Sequence, residues 1–314
     1  MTAVDPLRPG GADERVVSAR LGVVGQIREV VRYRELLLGL VRKELKVKYK
    51  DSTLGFLWSL LNPALSLGVF YVVFQIFLGA GIPAFAIFLL CGLLVWNLFS
   101  ASLAGATGSV TAAGGLVNKV YFPRVILPLA AVGAAVVHFF LQGIVLVAAL
   151  MVTRYDVELT WLPLLALAFV ATVALATGFA IMLSAVNVYA RDTQHILELS
   201  LLAWFWLTPI VYPVDVVITQ TEARSVPDWL YLLNPIVPLV MTFQRVLHNR
   251  VDFEQEVRLR ENGPIDIQIT RILPDESFLW YVSANLVVIG IGVALIGAAL
   301  HVFSRLEGNF AEEL

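Results

Sequence analysis

Six long apolar segments, joined mostly by short polar loops, dominate this 314-residue chain. They run Leu54–Leu78, Ala84–Gly105, Val125–Val152, Trp161–Val188, Ile196–Tyr212 and Leu279–Phe303. Most hold the ~20 residues that a helix needs to cross a ~30 Å hydrocarbon layer; the fifth sits near the short limit. Apolar residues make up 59% of the chain, above the ~45–50% usual in soluble domains. The sequence therefore predicts an all-α integral membrane protein with six transmembrane helices, and its function lies in what crosses the bilayer.

Charge placement sets the expected orientation. Arg28, Arg32, Arg34, Arg42, Lys43, Lys46, Lys48 and Lys50 precede the first span, Lys119 and Arg124 follow the second, and Arg191 follows the fourth. The loop Gly79–Pro83 is uncharged, and the loop after span three has only Arg154 beside Asp156 and Glu158. The positive-inside rule puts both termini in the cytoplasm, and an even number of spans agrees. The long segment Pro213–Phe278 then falls outside. Residues 1–26 are polar, lack the apolar core of a signal peptide, and read as a flexible cytoplasmic tail. The expected organisation is this tail, an amphipathic interface helix over 27–50, and a six-span transmembrane domain over 51–314 that includes the external segment 213–278.

Two regions depart from simple spans. Ile27, Val30, Val31, Leu37, Leu38, Val41 and Leu45 recur at helical spacing, with basic residues opposite. Such an amphipathic helix belongs in the cytoplasmic interface, either as a plain topological anchor or as part of a binding surface. Val226–Leu247 is apolar but interrupted by Pro235 and Pro238, which fits a pair of short re-entrant helices. Beyond it, Val257 and Leu259 alternate with Arg258 and Arg260, and Ile265, Ile267 and Ile269 alternate with Asp266, Gln268 and Thr270. That period of two, around Glu261-Asn262-Gly263-Pro264, predicts a small external β-hairpin. Covering an exit, contacting a partner and being an inert insertion all fit it.

Catalytic signals are missing from the sequence. It has no phosphate-binding G-x-x-x-x-G-K-[ST] loop, no H-E-x-x-H and no G-x-S-x-G. Cys91 is the single cysteine, and His138, His195, His248 and His301 lie far apart, so no metal site is expected. Nor does the sequence call for a nucleic-acid partner. His138, mid-span, is expected to make a helix-packing hydrogen bond rather than a proton relay. Glu198 is expected at the interface, paired with Arg191.

Aromatic residues are more suggestive. Phe70, Tyr71, Phe74 and Phe77 line span one; Trp96 and Phe99 lie on span two; Trp204, Phe205 and Trp206 run together on span five. Flat rings stack on sugars without demanding one hydrogen-bond pattern, which suits a sliding polymer. Lipid-facing packing and interfacial belts place Trp and Tyr there equally well.

Several motifs carry a family resemblance. Lys48–Leu65 reads KYKDSTLGFLWSLLNPAL, with Ser52, Leu54, Gly55, Trp58, Leu61 and Pro63 in an S-x-L-G-x-x-W-x-x-L-x-P pattern. Further on come NKVYFPRVILPL at Asn118–Leu129, YARDTQHIL at Tyr189–Leu197, LTPIVYP at Leu207–Pro213, LNPIVPLVMTFQR at Leu233–Arg245 and a terminal FSRLEGNFAEEL. In this order they resemble the membrane subunits of ABC-type polysaccharide and polyol-phosphate exporters, which export O-antigen, teichoic acid and related lipid-linked glycans. The insertion near 250–275 departs from that pattern.

The resemblance implies a non-enzymatic permease of the bacterial cytoplasmic membrane, serving cell-envelope biogenesis. It would work as a homodimer with two copies of a separate ABC ATPase, which would hold ATP and Mg²⁺; this chain would carry no cofactor. Asn118, Lys119, Val120, Tyr121, Phe122, Pro123 and Arg124 would form a coupling helix, with Tyr121-Phe122-Pro123 as apolar anchors and Lys119 and Arg124 at the rim. Arg191 and Asp192 would brace the second cytoplasmic turn, though Asp192 also suits a plain helix cap. Arg42, Lys43, Lys46, Lys48 and Lys50 would receive a lipid pyrophosphate or anionic membrane lipid. Trp58, Phe70, Tyr71, Phe74, Trp96, Phe99, Trp204 and Trp206 would line the substrate path. The rival readings are an ABC permease for drugs or other lipids, a secondary transporter, and a membrane glycosyltransferase or polymerase.

Overall fold

The computed structural model describes residues 22–48, 58–79, 81–117, 122–223, 228–258 and 265–310. Two interface helices come first, α1 (Val23–Arg32) and α2 (Arg34–Lys48). A single amphipathic helix was expected over 27–47; instead the helix starts earlier and breaks at Tyr33, whose backbone leaves helical geometry (φ −94°, ψ 23°). The break separates α1 from α2. The sequence period does not reveal it, because the apolar spacing continues through the break.

Next come α3 (Trp58–Phe70), running on into a π-helical segment Tyr71–Phe77, and α4 (Phe85–Thr107). Two single turns, α5 (Ser109–Ala112) and α6 (Gly114–Val117), lead to α7 (Ile126–Thr153), α8 (Pro163–Tyr189) and α9 (Thr193–Trp206). The external candidates are α10 (Val214–Ala223), a 3₁₀ turn Asp228–Leu233, α11 (Val237–Phe243) and a π-turn Gln244–His248. Strands β1 (Asp252–Arg258) and β2 (Ile265–Arg271) pair antiparallel, with Asp252 opposite Arg271 and Arg258 opposite Ile265. The turn expected between them, Glu261–Pro264, lies outside the described residues. The long α12 (Phe278–Leu306) follows.

Among the described residues, four helices, α4, α7, α8 and α12, are long and apolar enough to cross a membrane. The chain is a multi-pass membrane protein. Start signals are local: Pro163 opens α8, where its missing N–H costs nothing, and the Ser277 hydroxyl accepts from the Trp280 N–H to cap α12. In place of a fifth span ending at Tyr212, α9 stops at Trp206, about 21 Å at 1.5 Å per residue. Pro209 lacks an N–H and biases Thr208 away from helical geometry, so the chain turns there. Expected span one is described only from Trp58 onward.

Two buried clusters show that α4, α8 and α12 run in one direction and α7 in the other. One cluster joins Leu40 of α2, Val110, Phe122, Ile126 at the start of α7, Val188 at the end of α8, Phe303 near the end of α12, and Phe310. The other joins Phe85 at the start of α4, Leu150 late in α7, Leu164 early in α8, Tyr281 early in α12, and Ile236–Val246 of the interrupted segment. The first described N-terminal residues and Phe310 therefore share one end of the bundle. Glycines set the closest approaches. A Cβ on Gly292 would lie 2.8 Å from the Leu175 nitrogen, so α12 and α8 touch backbone to backbone; such small-residue contacts drive helix association in membranes. A Cβ on Gly133 would lie 2.7 Å from Val41 Cγ2, which seats α2 on α7.

Candidate functional site

The terminal end of the bundle collects most of the basic residues expected to act. Arg42, Lys43 and Lys46 are exposed on α2. Leu40 on the same helix is buried, because α2 keeps one apolar face on the bundle. Lys50 and the residues Asn118 to Tyr121 lie outside the described set, and Lys48 is placed only as the last residue of α2.

Phe122 and Pro123 are both buried, Phe122 to 4% exposure. The Phe122 side chain packs in the terminal-end cluster with Ile126 at the start of α7. Arg124 is also engaged internally. Its backbone N–H donates to the Glu307 carboxylate at 3.3 Å, its guanidinium donates to the Glu307 carbonyl, and its Cζ lies 5.9 Å from the Phe310 ring centre. Burial raises the Glu307 carboxyl above its ordinary value, with the Arg124 N–H and charge opposing.

The second turn, between α8 and α9, is open. Arg191 and Asp192 are both exposed, and Asp192 sits at the start of α9 without making a side-chain cap bond. Simple capping therefore does not explain Asp192. Glu198 pairs with His195 at 3.9 Å, one turn along the same helix face, and not with Arg191 as expected.

The predicted aromatic path divides in two. Phe99 is fully buried, and Trp96 is nearly so. The Phe99 ring meets Trp204 at 5.2 Å and Phe179 at 6.0 Å, and Trp96 meets Phe205 at 5.6 Å. Phe205 also stacks on Phe70 at 5.8 Å. These rings draw α3, α4 and α9 together, as a shared path requires, but they spend their faces on one another. Trp96 and Phe99 are thus core residues of one chain. Phe74 and Trp204 are partly buried, with Phe74 stacked on Phe85 at 6.3 Å. Trp58, Tyr71 and Trp206 remain exposed on the flank of the bundle.

Several residues that the sequence did not flag organise the opposite end. Asn234 accepts from the Trp204 indole at 2.8 Å and from the Ile236 N–H at 3.1 Å, and donates to the Thr208 hydroxyl at 2.9 Å. It thereby ties α9 to the interrupted segment. Arg245 lies 4.2 Å over the Trp161 ring. His248 shares a 2.7 Å hydrogen bond with the Pro83 carbonyl, while its own carbonyl accepts from the Tyr155 hydroxyl at 2.6 Å. Buried Asn285 donates to Thr242 at 2.8 Å. The signal available in sequence was polar residues within apolar runs. Their partners were not available, because they lie 26 to 165 residues away. His138 is buried in α7.

The described residues include no group of three metal-ligating side chains. What remains is a helical bundle with a basic, loop-bearing end, an opposite end pinned by polar contacts, and exposed rings along one flank. That geometry suits a transport subunit. The ABC-2 type transporter family matches residues 35–247, from α2 through the interrupted segment.

This chain belongs to the ABC-2 type transporter family.

The matched region contains both loops at the terminal end, 118–124 and 190–192, and omits the β-strands and α12. Among similar proteins, the O-antigen export system permease protein RfbA of Myxococcus xanthus is 31% identical over 290 residues, covering 92% of this chain and 98% of the relative. A Klebsiella pneumoniae protein of the same description is 28% identical, over 89% of this chain and 95% of its own. The polysialic acid transport protein KpsM of Escherichia coli is 24% identical over 63% of this chain and 75% of its own.

Proposed function

We propose that this chain is the permease subunit of an ATP-driven exporter that moves a lipid-linked polysaccharide or polyol-phosphate polymer across the bacterial cytoplasmic membrane. The near end-to-end match to an O-antigen export permease, covering 98% of that protein, carries this reading. In this proposal two copies assemble with two ABC ATPase subunits, which supply ATP and Mg²⁺. Both termini are cytoplasmic. The chain makes six spans, with α3 and α9 completing the four long helices. The segment 228–248 is re-entrant from outside, and the β-strands lie on the external face.

The charge at the terminal end supports this orientation: Arg28, Arg32, Arg42, Lys43, Lys46, Arg124, Arg191 and Arg305 all belong to elements gathered there. ATP binding closes the ATPases against the loops 118–124 and 190–192. Asn118, Lys119, Val120 and Tyr121 make the direct contact in the first loop, because Phe122 and Pro123 are turned inward. Arg191 and Asp192 make it in the second. Loop motion then shifts the spans, and the polymer passes along the exposed rings Trp58, Tyr71 and Trp206, between the two copies. The exposed cations of α2 receive the lipid-linked phosphate at the entrance.

The test is co-purification of the full chain, in mild detergent, with the ATPase subunits of the same genome. Wild type is compared with Lys119→Ala/Tyr121→Ala and with Arg191→Glu. Retention by wild type and loss in the variants supports the reading. Failure of wild type to retain any ATPase overturns it. Exposure of an N-terminal tag to the outside would overturn the orientation.

A further inference from the structure

The last described residues of the chain do not trail away. Leu306 ends α12, a 3₁₀ turn Glu307–Asn309 follows, and the Phe310 ring is fully buried. This turn touches three helix ends at once. At the start of α7, Arg124 gives two hydrogen bonds to Glu307 and lays its guanidinium near the Phe310 ring. At the end of α8, the Tyr189 hydroxyl donates to the Leu306 carbonyl at 2.9 Å, and its ring lies 6.0 Å from Phe310. On α12 itself, Phe303 meets Phe310 edge-on at 5.3 Å. Arg124 closes the 118–124 loop, and Tyr189 opens the 190–192 turn.

We infer that the turn 306–310 is a positioning hook that fastens the exit of the 118–124 loop to the ends of α8 and α12. Loop displacement is thereby converted into movement of those two helices. The inference rests on the reading of that loop as an ATPase contact. Its physical basis is the variety of the contacts. A ring packed in the core fixes the hook to the bundle, whereas hydrogen bonds donated by Arg124 and by Tyr189 fix the two loops to the hook. The start of α7 and the end of α8 also share side-chain packing in the buried cluster, through Ile126 and Val188, and such packing slides more easily than directed hydrogen bonds. The α8–α12 pair is stiff where Gly292 meets Leu175, so displacement at their terminal ends is carried toward the opposite end.

The test uses the full permease–ATPase complex in lipid nanodiscs, with a reporter at Asp275→Cys. Asp275 is exposed just before α12, at the end of the bundle opposite the hook. Cys91 is fully buried, so it stays silent toward a maleimide in the folded protein. The rate of maleimide labelling is measured with and without ATP–vanadate trapping. Phe310→Ala removes the anchor but also empties a core position. The double variant Tyr189→Phe/Glu307→Ala leaves that core ring in place and loosens the hydrogen bonds.

With the hook intact, trapping changes the labelling rate about fivefold, a common size for coupling between sites. In the double variant, trapped nucleotide per complex and unfolding temperature stay at their hook-intact values, while the labelling change falls below about twofold. A purely stabilising role would lower the unfolding temperature and leave the labelling ratio alone. The inference is overturned if the double variant keeps the full labelling change, or if trapping never alters labelling with the hook intact and the ATPase bound. If the hook-intact chain binds no ATPase, the loop reading fails first, and the hook's transmitting role goes with it.

Discussion

Replacing Gly292 by alanine tests the central contact of the bundle. The added Cβ would sit 2.8 Å from the Leu175 nitrogen, 2.9 Å from the Ala174 carbonyl carbon and 3.0 Å from the Ala174 Cβ, whereas ordinary contact begins at 3.4 Å. Two of these neighbours are backbone atoms of α8, which cannot rotate out of the way. The helices must therefore separate by about 0.6 Å, and overpacking of this kind costs roughly 1–3 kcal/mol. Alanine's better helix propensity returns about 0.5–1 kcal/mol. The net expectation is a loss of about 1–2 kcal/mol, or a fall of about 2–8 °C in unfolding temperature. Gly290→Ala and Gly297→Ala on the same helix meet nothing within 4 Å, and are expected to keep or slightly raise the wild-type value. The assay is thermal unfolding in one detergent, read by tryptophan fluorescence. If Gly292→Ala unfolds with Gly290→Ala, the backbone contact between α8 and α12 is not the one described.

His248 makes stability depend on pH. Burial, the largest cause, lowers its pKa from 6.5 to about 4, with the Pro83 carbonyl opposing and the Arg250 charge assisting. Between those values the folded chain binds fewer protons than the unfolded one. Its contribution is therefore complete above pH 6.5 and is lost as pH falls toward 4, by about 3 kcal/mol in total. His248→Gln should flatten the difference in unfolding temperature between pH 7.5 and pH 5; an unchanged difference refutes the assignment. Asn234→Ala strips the Trp204 indole and Thr208 hydroxyl of their partner. It is expected to cost about 1–3 kcal/mol, and a blue shift of tryptophan emission would be missing if that indole bond were absent in solution. The two classes of aromatic separate cleanly. Phe99→Ala should cost about 3–5 kcal/mol and lower folded yield, whereas Trp206→Ala, at 48% exposure, should stay within about 1 kcal/mol and lower export instead. Equal folded yields for the two would contradict the division of the rings.

What the sequence alone determined is the solvent and which helix ends lie together. Twenty-residue apolar runs admit one spanning structure, because hydrocarbon offers the backbone no hydrogen-bond partner outside the helix. Basic loops on alternate sides then fix which ends lie together, and the clusters around Leu40 and Phe85 agree with that alternation. The motifs were also legible, and the family match over residues 35–247 spans all of them but the terminal FSRLEGNFAEEL. Which face each residue turns was not. In a helix apolar all round, periodicity no longer marks an inside. Phe99 and Trp206 therefore look alike in sequence, yet one is buried and the other exposed. The polar ties were equally hidden. Arg124 meets Glu307 across 183 residues, and His248 meets Pro83 across 165. Local chemistry decides that a chain like this must form helices; only their packing decides which of its few polar groups meet, because each partner is supplied by a different helix.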